Sequence, residues 1–467
     1  MLTNVASFFS LYLATLVMLL GVGLFNTFLS LWLTAASVSE FWVGAQIAAY
    51  YFGLVAGARV GHKLIIHFGH IRAYSVGAAV VTVALLTMAL IDNLWVWLAL
   101  RFLVGLAMVA QLMVVESWLN EQAENEMRGS IFALYMVFSG LGTVLGQLAL
   151  AMFPELDYKP IVFAAICSVL CLLPVALTRR LHPAMQVPVP IKPRYYLSLV
   201  PMSLATVFIS GLLTGAFYGL GPVFAVKQGL DNNQAALFVA AAVAAGLLAQ
   251  GPLGWLADRV NRAGLIRINA FLLLLVGIPL WGWGQLPYWA LLLVSAAFGI
   301  LQFTLYPIGV AFANDHIEPE RRVGLSAIVL MAYGLGACLG PLAAGVLMRD
   351  IGTDTFFMFV SACAAVLVLY VRPQQVKGDH LSADAPTQFV PMSEVQATPV
   401  VAALDPRVDV ESDISGEPLP EEMPEEAPGE VRDEMLDEIS AEVSAEDSSE
   451  VSVESQTGWQ PDPPAER

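Results

Sequence analysis

The chain has 467 residues, of which 57% are hydrophobic and only 13% are charged. A soluble domain needs roughly 25% charged residues to cover its surface, so most of this chain cannot face water. The net charge of −17 belongs to one end, since residues 373–467 hold 24 acidic and 4 basic residues and the first 372 carry a net +3. A nearly neutral, apolar body excludes a nucleic-acid-binding protein.

Twelve apolar segments are long enough to cross a bilayer, which takes about 20 residues. The first is longer than the apolar core of a signal peptide, about 7–15 residues, so we expect it to be retained. Numbered in chain order, the predicted spans are 8–33, 41–60, 71–91, 95–117, 130–153, 160–178, 198–226, 234–257, 265–283, 288–313, 324–348 and 355–371. The sequence therefore predicts an all-α membrane protein with 12 transmembrane helices.

The segment 179–197 is rich in proline and basic residues and too polar to cross, so it separates spans 6 and 7. We predict a six-helix bundle at 1–178, a cytoplasmic linker at 179–197, a second six-helix bundle at 198–372 and a disordered acidic cytoplasmic tail at 373–467. The tail has only two aromatic residues, Phe389 and Trp459, and cannot bury enough apolar surface to offset its ordering entropy. A specific docking motif in the tail is the alternative.

The basic residues predict the orientation. If the N-terminus is inside, 15 Lys and Arg side chains flank the spans on the inner side, and only Lys159, Lys227 and Arg349 lie outside. Because inner loops carry the excess of basic residues, both termini are predicted to be cytoplasmic.

The second half repeats the first in the same order. Residues 128–149 match 322–343 at an offset of 194, which aligns Gly146 with Gly340. At offsets of 193 and 194, Gly53 aligns with Gly246 and Gly105 with Gly299. The pattern predicts two pseudo-symmetric bundles related by an axis along the membrane normal.

Three motifs carry a family resemblance. Gly254–Arg262, GWLADRVNR, resembles the signature loop of the major facilitator superfamily, with Asn261 in place of a glycine, whereas the matching loop 61–72 has an extra residue and no Asp. Arg101–Gly105 resembles the Arg-x-x-x-Gly motif of the same family. Residues 303–307 and 115–117 further resemble its poorly characterised bacterial branch that includes the YcaD-like proteins.

The signature loop predicts a cytoplasmic latch. The Asp258 carboxylate is expected to meet the positive N-terminus of span 5, and Arg259 and Arg262 to pair with Asp315. With Gly254, these residues would hold the two halves together when the cytoplasmic side is closed. The alternative is that the bases only follow the orientation rule.

Two charges lie clearly inside a span, Arg101 and Glu116, both in span 4 and about 22 Å apart along the helix. Charges in a bilayer are costly, so each is a functional hypothesis. Arg101 is expected to organise packing or to assist proton coupling. Glu116 is either a protonatable coupling group or a structural partner for His67, Arg72 or Arg128.

The family resemblance implies a cavity lined by spans 1, 4, 7 and 10, with contributions from 2, 5, 8 and 11. The candidate lining residues are polar or aromatic, and their alternative role is to hold helices together by hydrogen bonds. They are Asn26, Gln111, Tyr135, Tyr218, Gln250, Gln302, Tyr306 and Tyr333. Because no further charge lies at mid-membrane, a neutral, amphipathic or hydrophobic solute is favoured.

Other clusters are weak candidates. His62, His67 and His70 are expected in the first cytoplasmic loop, as solvated residues rather than as a metal or pH-sensing site. Cys167 and Cys171 are one helical turn apart and are expected to pack rather than to bind a metal. Without a nucleophile–base set, a phosphate loop or a metal constellation, we predict neither an enzyme nor a cofactor.

The sequence thus predicts a monomeric secondary active transporter of the bacterial inner membrane. Two bundles would rock around a central site to move a small, neutral or amphipathic solute, with the proton as the candidate coupling ion and the substrate gradient as the alternative energy source. The expected partners are the lipid bilayer and a small-molecule substrate. A non-transporting receptor or scaffold that recruits a partner through its acidic tail is the competing function.

Overall fold

The computed structural model describes residues 2–121, 128–153, 155–176, 193–284, 286–318 and 321–372, together with Thr387, Phe389 and Val390. Their regular structure is helical, and twelve helices, α1 to α12, match the predicted spans in order. They are Leu2–Ala35, Glu40–Phe68, His70–Leu90, Leu94–Glu121, Arg128–Ala149, Lys159–Leu170, Pro201–Lys227, Asn232–Ala257, Arg262–Gly277, Tyr288–Asn314, Arg322–Asp350 and Thr355–Tyr370. The predicted all-α membrane fold is confirmed.

Two short helices extend the pattern. Leu172–Ala176 continues α6, and with it α6 becomes long enough to span. Within the described residues, eleven of the twelve are long and apolar enough to cross a bilayer, and α12, with 16 residues, is apolar but shorter. Pro193–Leu199 precedes α7 and occupies part of the predicted linker. Its Tyr196 hydroxyl donates to the Arg321 carbonyl at 3.2 Å, which ties this segment to the start of α11. Residues 177–192 of the linker lie outside the described residues.

The prediction that His62, His67 and His70 lie in a loop was wrong. Helix α2 continues to Phe68, and a single glycine, Gly69 with φ 82°, reverses the chain into α3. His62 and His67 are therefore helical, and His70 opens α3, buried, with Nε2 3.1 Å from the Ser117 hydroxyl. Hydropathy alone placed the end of α2 too early, because the last turns of this helix are polar on one side.

The two ends of the bundle differ in charge. We call the end that carries the turn at Gly69, the turn 258–261 and residues 315–321 the base-rich face, and the end that carries turns 36–39, 228–231 and 351–354 the base-poor face. Tryptophans 95, 283 and 289 are exposed at the base-poor face. Exposed indoles at helix ends are typical of a membrane–water interface.

Glycines show that the two halves are built alike. Gly105 of α4 lies against the backbone of α2, and its predicted counterpart Gly299 of α10 lies against α8. Likewise Gly146 of α5 lies against α1 and Gly340 of α11 against α7. At each position a Cβ would overlap a carbonyl oxygen of the neighbouring helix, so only glycine permits this approach. The N-terminal half, α1–α6, and the C-terminal half, α7–α12, thus share their helix crossings.

Candidate functional site

The halves are joined at the base-poor face by a charged contact. Lys227 Nζ, at the end of α7, forms an ion pair with the Glu40 carboxylate at the start of α2. Beside it, the Arg349 guanidinium at the end of α11 lies over the Phe41 ring, 5.6 Å from its centroid. We call Glu40, Phe41, Lys227 and Arg349 the base-poor clamp. Each of its contacts links the N-terminal half to the C-terminal half.

Below the clamp the halves meet through small residues. Gly44 of α2 lies against the Pro341 carbonyl of α11, and Gly345 of α11 lies against the Glu40 carbonyl. Nearer the middle of the bilayer, Gly140 of α5 faces the Leu247 side chain of α8. These contacts extend from the base-poor face to the middle of the body. At these positions the absence of a side chain lets the two halves approach closely.

Arg101 holds three helices of the N-terminal half together. It is 1% exposed, its Nη2 donates to Asn26 Oδ1 of α1 at 2.8 Å, and its Nε donates to the Gln46 carbonyl of α2 at 3.3 Å. Its guanidinium also lies over the rings of Tyr50 and Phe25, at 4.7 and 5.4 Å. Amide and carbonyl acceptors with two π faces stabilise a charge that the bilayer would otherwise penalise. The packing role predicted for Arg101 accounts for these contacts.

A small cavity adjoins this arginine. It measures about 20 Å³ and is lined by Arg101, Tyr50, Ser168 and apolar side chains of α1, α3 and α4. This volume has room for a single water and none for an organic solute. Asn26, a predicted path residue, has its carbonyl oxygen committed to Arg101.

Glu116 lies completely buried in α4 and accepts a hydrogen bond from Tyr135 of α5, with the hydroxyl 2.9 Å from Oε1. Both residues belong to the N-terminal half. The bond joins α4 to α5 inside the bundle. The Arg128 side chain, one of the partners considered for Glu116, lies outside the described side chains.

The remaining path candidates also make contacts inside their own half. Gln302 of α10 donates through Nε2 to the Ser210 carbonyl and the Thr214 hydroxyl of α7, at 2.9 and 2.8 Å. The Tyr306 and Tyr333 rings meet edge-on with centroids 5.1 Å apart. Further contacts of this type join Gln111 to Cys171 and Tyr218 to Phe303, and Gln250 is buried. These positions therefore stiffen the halves, and a role in a solute path stays a prediction.

The predicted latch residues form a cluster in the C-terminal half. The Arg262 guanidinium, 3% exposed, bonds Asp315 Oδ1 of α10 at 2.6 Å and Asp258 Oδ1 at 3.0 Å, and also donates to the carbonyls of Ala257 and Ala311. The predicted pairing of Arg262 with Asp315 is thus observed. We call Gly254, Asp258, Arg262 and Asp315 the acid–arginine cluster.

Arg259 does not join that pairing. It donates to the Trp255 carbonyl at 3.0 Å and stacks on the Trp255 ring at 4.0 Å, at the exposed edge of α8. The expected contact of Asp258 with the start of α5 is not among the described hydrogen bonds, and residues 122–127, which precede α5, lie outside the described residues. Another segment contacts Asp258 Oδ1. Every described helix contact of the cluster lies within the C-terminal half.

That segment comes from the tail. Thr387 donates from its backbone N and its hydroxyl to Asp315 Oδ1, both at 2.9 Å, and its carbonyl accepts from Arg262. Phe389 N donates to Asp258 Oδ1 at 2.8 Å. Phe389 and Val390 are buried. The disorder predicted for residues 373–467 does not hold at these three positions, and the rest of that range lies outside the described residues.

Comparison with known proteins agrees with this architecture. A family model described as Major Facilitator Superfamily matches residues 11–303 and 204–404. The chain belongs to that superfamily. An uncharacterized MFS-type transporter of Enterobacter sp. (strain 638) is 29% identical over 362 residues, 76% of this chain and 92% of the relative, and the MFS-type transporter YcaD of Salmonella newport (strain SL254) is 28% identical over 358 residues, with the same coverage. The predicted branch is therefore confirmed.

A solved structure shows the same fold. The crystal structure of the nucleoside transporter NupG superposes with a TM-score of 0.67 at 14% identity, covering 78% of this chain and 98% of that one. This major facilitator chain is thus a multi-pass membrane protein of a bacterial transporter family. Among its described residues, no group of three or more His, Cys, Asp or Glu could hold a metal ion.

Sequence reasoning missed two parts of this superfamily member, the base-poor clamp and the docked tail. Lys227 and Arg349 were counted only as outer bases, and Glu40 was not singled out. A signal was present, since the acid opens α2 and the two bases close α7 and α11 on the same side. The tail contact carried a weaker signal, since Phe389 is the one phenylalanine of residues 373–467 and Val390 follows it.

Proposed function

We propose that the chain is a secondary active transporter that moves a small, neutral or amphipathic solute by alternating access, with the proton as coupling ion. The observation that carries this proposal is the junction between the halves. Among the described residues it includes an ion pair, a cation–aromatic contact and glycine contacts that lie from the base-poor face to the middle. Two internally braced halves with such a junction can rock relative to each other.

The neutral solute follows from how the buried charges are used. Arg101 and Glu116, the two charges buried in α4, are engaged by Asn26 and Tyr135 within the N-terminal half. Binding an anionic or cationic solute inside the bilayer would require an opposite charge that is not already engaged. Glu116, bonded by a phenol inside the bundle, is the residue we assign to proton binding.

The orientation belongs to the same proposal. The base-rich face would be cytoplasmic, as the distribution of Lys and Arg predicts, and the described contacts between the halves would then close the outer side. The division into 1–178, 179–197, 198–372 and 373–467 is kept as the proposed domain organisation.

Flux into proteoliposomes tests the proposal. Full-length protein is reconstituted and counterflow is measured for a panel of neutral solutes and charged analogues of matched size, with and without an imposed proton gradient. Saturable, gradient-stimulated flux of neutral solutes is expected. A cytoplasmic partner that binds the tail, with no flux for any solute, would replace this proposal with the scaffold function.

A further inference from the structure

The tail contact at the base-rich face has the features of a built binding site. Thr387, Phe389 and Val390, which we call the tail anchor, lie against the acid–arginine cluster at the ends of α8 and α10 and the start of α9. Two backbone N–H groups of the anchor reach two different carboxylates, and one carbonyl of the anchor reaches the arginine between them. The donors and the acceptor of the anchor thus meet all three charged side chains of the cluster.

The arginine is saturated only when the anchor is present. A guanidinium has five N–H donors. The helices supply acceptors at Ala257, Ala311, Asp258 and Asp315, and Thr387 supplies two more through its carbonyl and hydroxyl. Hydrogen bonds to charged groups are stronger than neutral ones, so these contacts favour a docked anchor.

The aromatic ring of the anchor has its own socket. A Cβ added at Gly254 would overlap the Phe389 ring, so the absence of a side chain on α8 creates the space that the ring fills. Phe389 is 7% exposed, and Val390, the next residue, is 4% exposed. Polar and apolar contacts thus select the same three residues.

We propose that the acid–arginine cluster is a binding site for an extended segment with a phenylalanine, that the chain's own tail anchor occupies it, and that this occupancy hinders closure of the base-rich face. The last clause rests on the proposed function. Closing that face brings the start of α5 toward the end of α8, where the helix N-terminus would approach the Asp258 carboxylate. In the docked state that carboxylate accepts from Phe389 N. The anchor and the start of α5 would therefore approach the same carboxylate, and we expect them to compete for that position.

Because of this competition, the docked tail acts as a brake on the change between the two states of the transporter. While the anchor is docked, the transporter stays in the state joined at the base-poor face; release of the anchor frees Asp258 and permits the opposite state. Any cytoplasmic event that engages the acidic stretch beyond residue 390 would release the anchor from the acid–arginine cluster.

Docking is tested in the full-length chain by a photoreactive amino acid. Phe389 is replaced by p-benzoylphenylalanine, membranes are irradiated, and crosslinked peptides are mapped by mass spectrometry. Trp459, the other aromatic residue of the tail, carries the same group in the control. Crosslinks from position 389 to the end of α8 are expected. Failure to crosslink there, or equal crosslinking from position 459, would overturn the docked site.

Competition is tested by a distance. Nitroxide labels at Ser130 of α5 and Val260 after α8 report the separation of the halves at the base-rich face, in the otherwise wild-type chain and with Phe389→Asp. A several-fold larger short-distance population is expected with Phe389→Asp and not with Trp459→Asp. Identical distributions in all three proteins would overturn the brake.

A double variant separates release from misfolding. Gly254→Ala fills the socket and is expected to increase the short-distance population as Phe389→Asp does, but to add nothing when Phe389 is already Ala. An equal effect of Gly254→Ala in both backgrounds would show a packing defect in α8 and contradict the inference. None of these measurements uses a substrate. A negative result here would therefore leave the transport proposal untouched, and an absence of solute flux would leave the docked site untouched.

Discussion

The N-terminal half carries its buried charges along α4, with Arg101 inside the bundle and Glu116 about 22 Å farther along the helix toward the base-rich face. The C-terminal half carries them at the base-rich face, in the acid–arginine cluster. By the offsets of the repeat, Ser295 stands where Arg101 does, and Ile65 stands where Asp258 does. Ser295 donates to the Phe238 carbonyl at 2.5 Å, a neutral bond in place of a charge network. The same helical scaffold thus carries buried charges along α4 in one half and at the base-rich face in the other.

Proline marks a second difference between the halves. Helices α7, α8, α10 and α11 each contain an internal proline, at 222, 252, 307 and 341, while their counterparts α1, α2, α4 and α5 contain none within their bounds. An internal proline removes a backbone hydrogen bond and allows a bend. The C-terminal half is thus the half expected to deform, and the N-terminal half the one expected to stay rigid.

The shared scaffold predicts the largest effects. Gly105→Leu and Gly299→Leu should each lower the free energy of unfolding by more than about 3 kcal/mol, because a side chain there forces apart helices whose backbones touch. Thermal unfolding in detergent measures the change. Gly251→Leu is the control, since nothing lies within 4 Å of an added Cβ there. Tolerance of one substitution and not the other would break the equivalence of the halves.

The charged core of the N-terminal half predicts the next effect. Glu116→Gln should abolish proton-driven accumulation and spare solute exchange, because the amide keeps an acceptor for Tyr135 and cannot bind the transported proton. Tyr135→Phe, which retains the carboxyl, should keep accumulation. Accumulation by Glu116→Gln at the wild-type level would remove Glu116 from coupling.

Arg101 and Ser295 compare the same position in the two halves. Arg101→Met leaves the oxygens of Asn26 and Gln46 without their donor, which should cost about 2–4 kcal/mol, whereas Ser295→Ala should cost about 1 kcal/mol. Chemical unfolding of the purified variants gives both values. Similar losses of unfolding free energy in the two variants would mean that the charge of Arg101 stabilises the fold no more than the neutral hydrogen bond of Ser295 does.

The base-poor clamp predicts the smallest effect. Glu40→Lys or Lys227→Glu alone should change the transport rate by no more than several-fold, because a partly exposed ion pair contributes about 1 kcal/mol or less. Exchanging the two charges in one protein should restore the rate. A double variant as impaired as either single one would show that the residues act separately.

The sequence was sufficient for the scaffold and insufficient for the contacts between distant parts. Hydropathy located twelve helices, and a constant offset paired Gly105 with Gly299, because both signals are local or repeat along the chain. The Glu40–Lys227 pair depends on how the two halves meet, which no periodicity records. Phe389 was assigned to a disordered tail on composition, and composition averages away a single aromatic residue that has a socket.

The latch shows how far a motif carries. The loop predicted the partners Arg262 and Asp315 correctly, since their contact lies inside one half. The described contacts of Asp258 are with Arg262 and with Phe389 N of the tail, and its contact with the start of α5 stays a prediction. A motif predicts the contacts within its own bundle, but not which distant segment of the chain binds there.

Crosslinking across the base-poor clamp tests the central claim, that the two halves separate there during transport. Cysteines replace Glu40 and Lys227 and are joined by a short reducible bis-methanethiosulfonate reagent, with Lys227→Cys alone as the control. Reconstituted protein should lose solute flux on crosslinking and regain it on reduction, while the control is unaffected. Flux at the uncrosslinked rate with the clamp covalently closed would contradict alternating exposure.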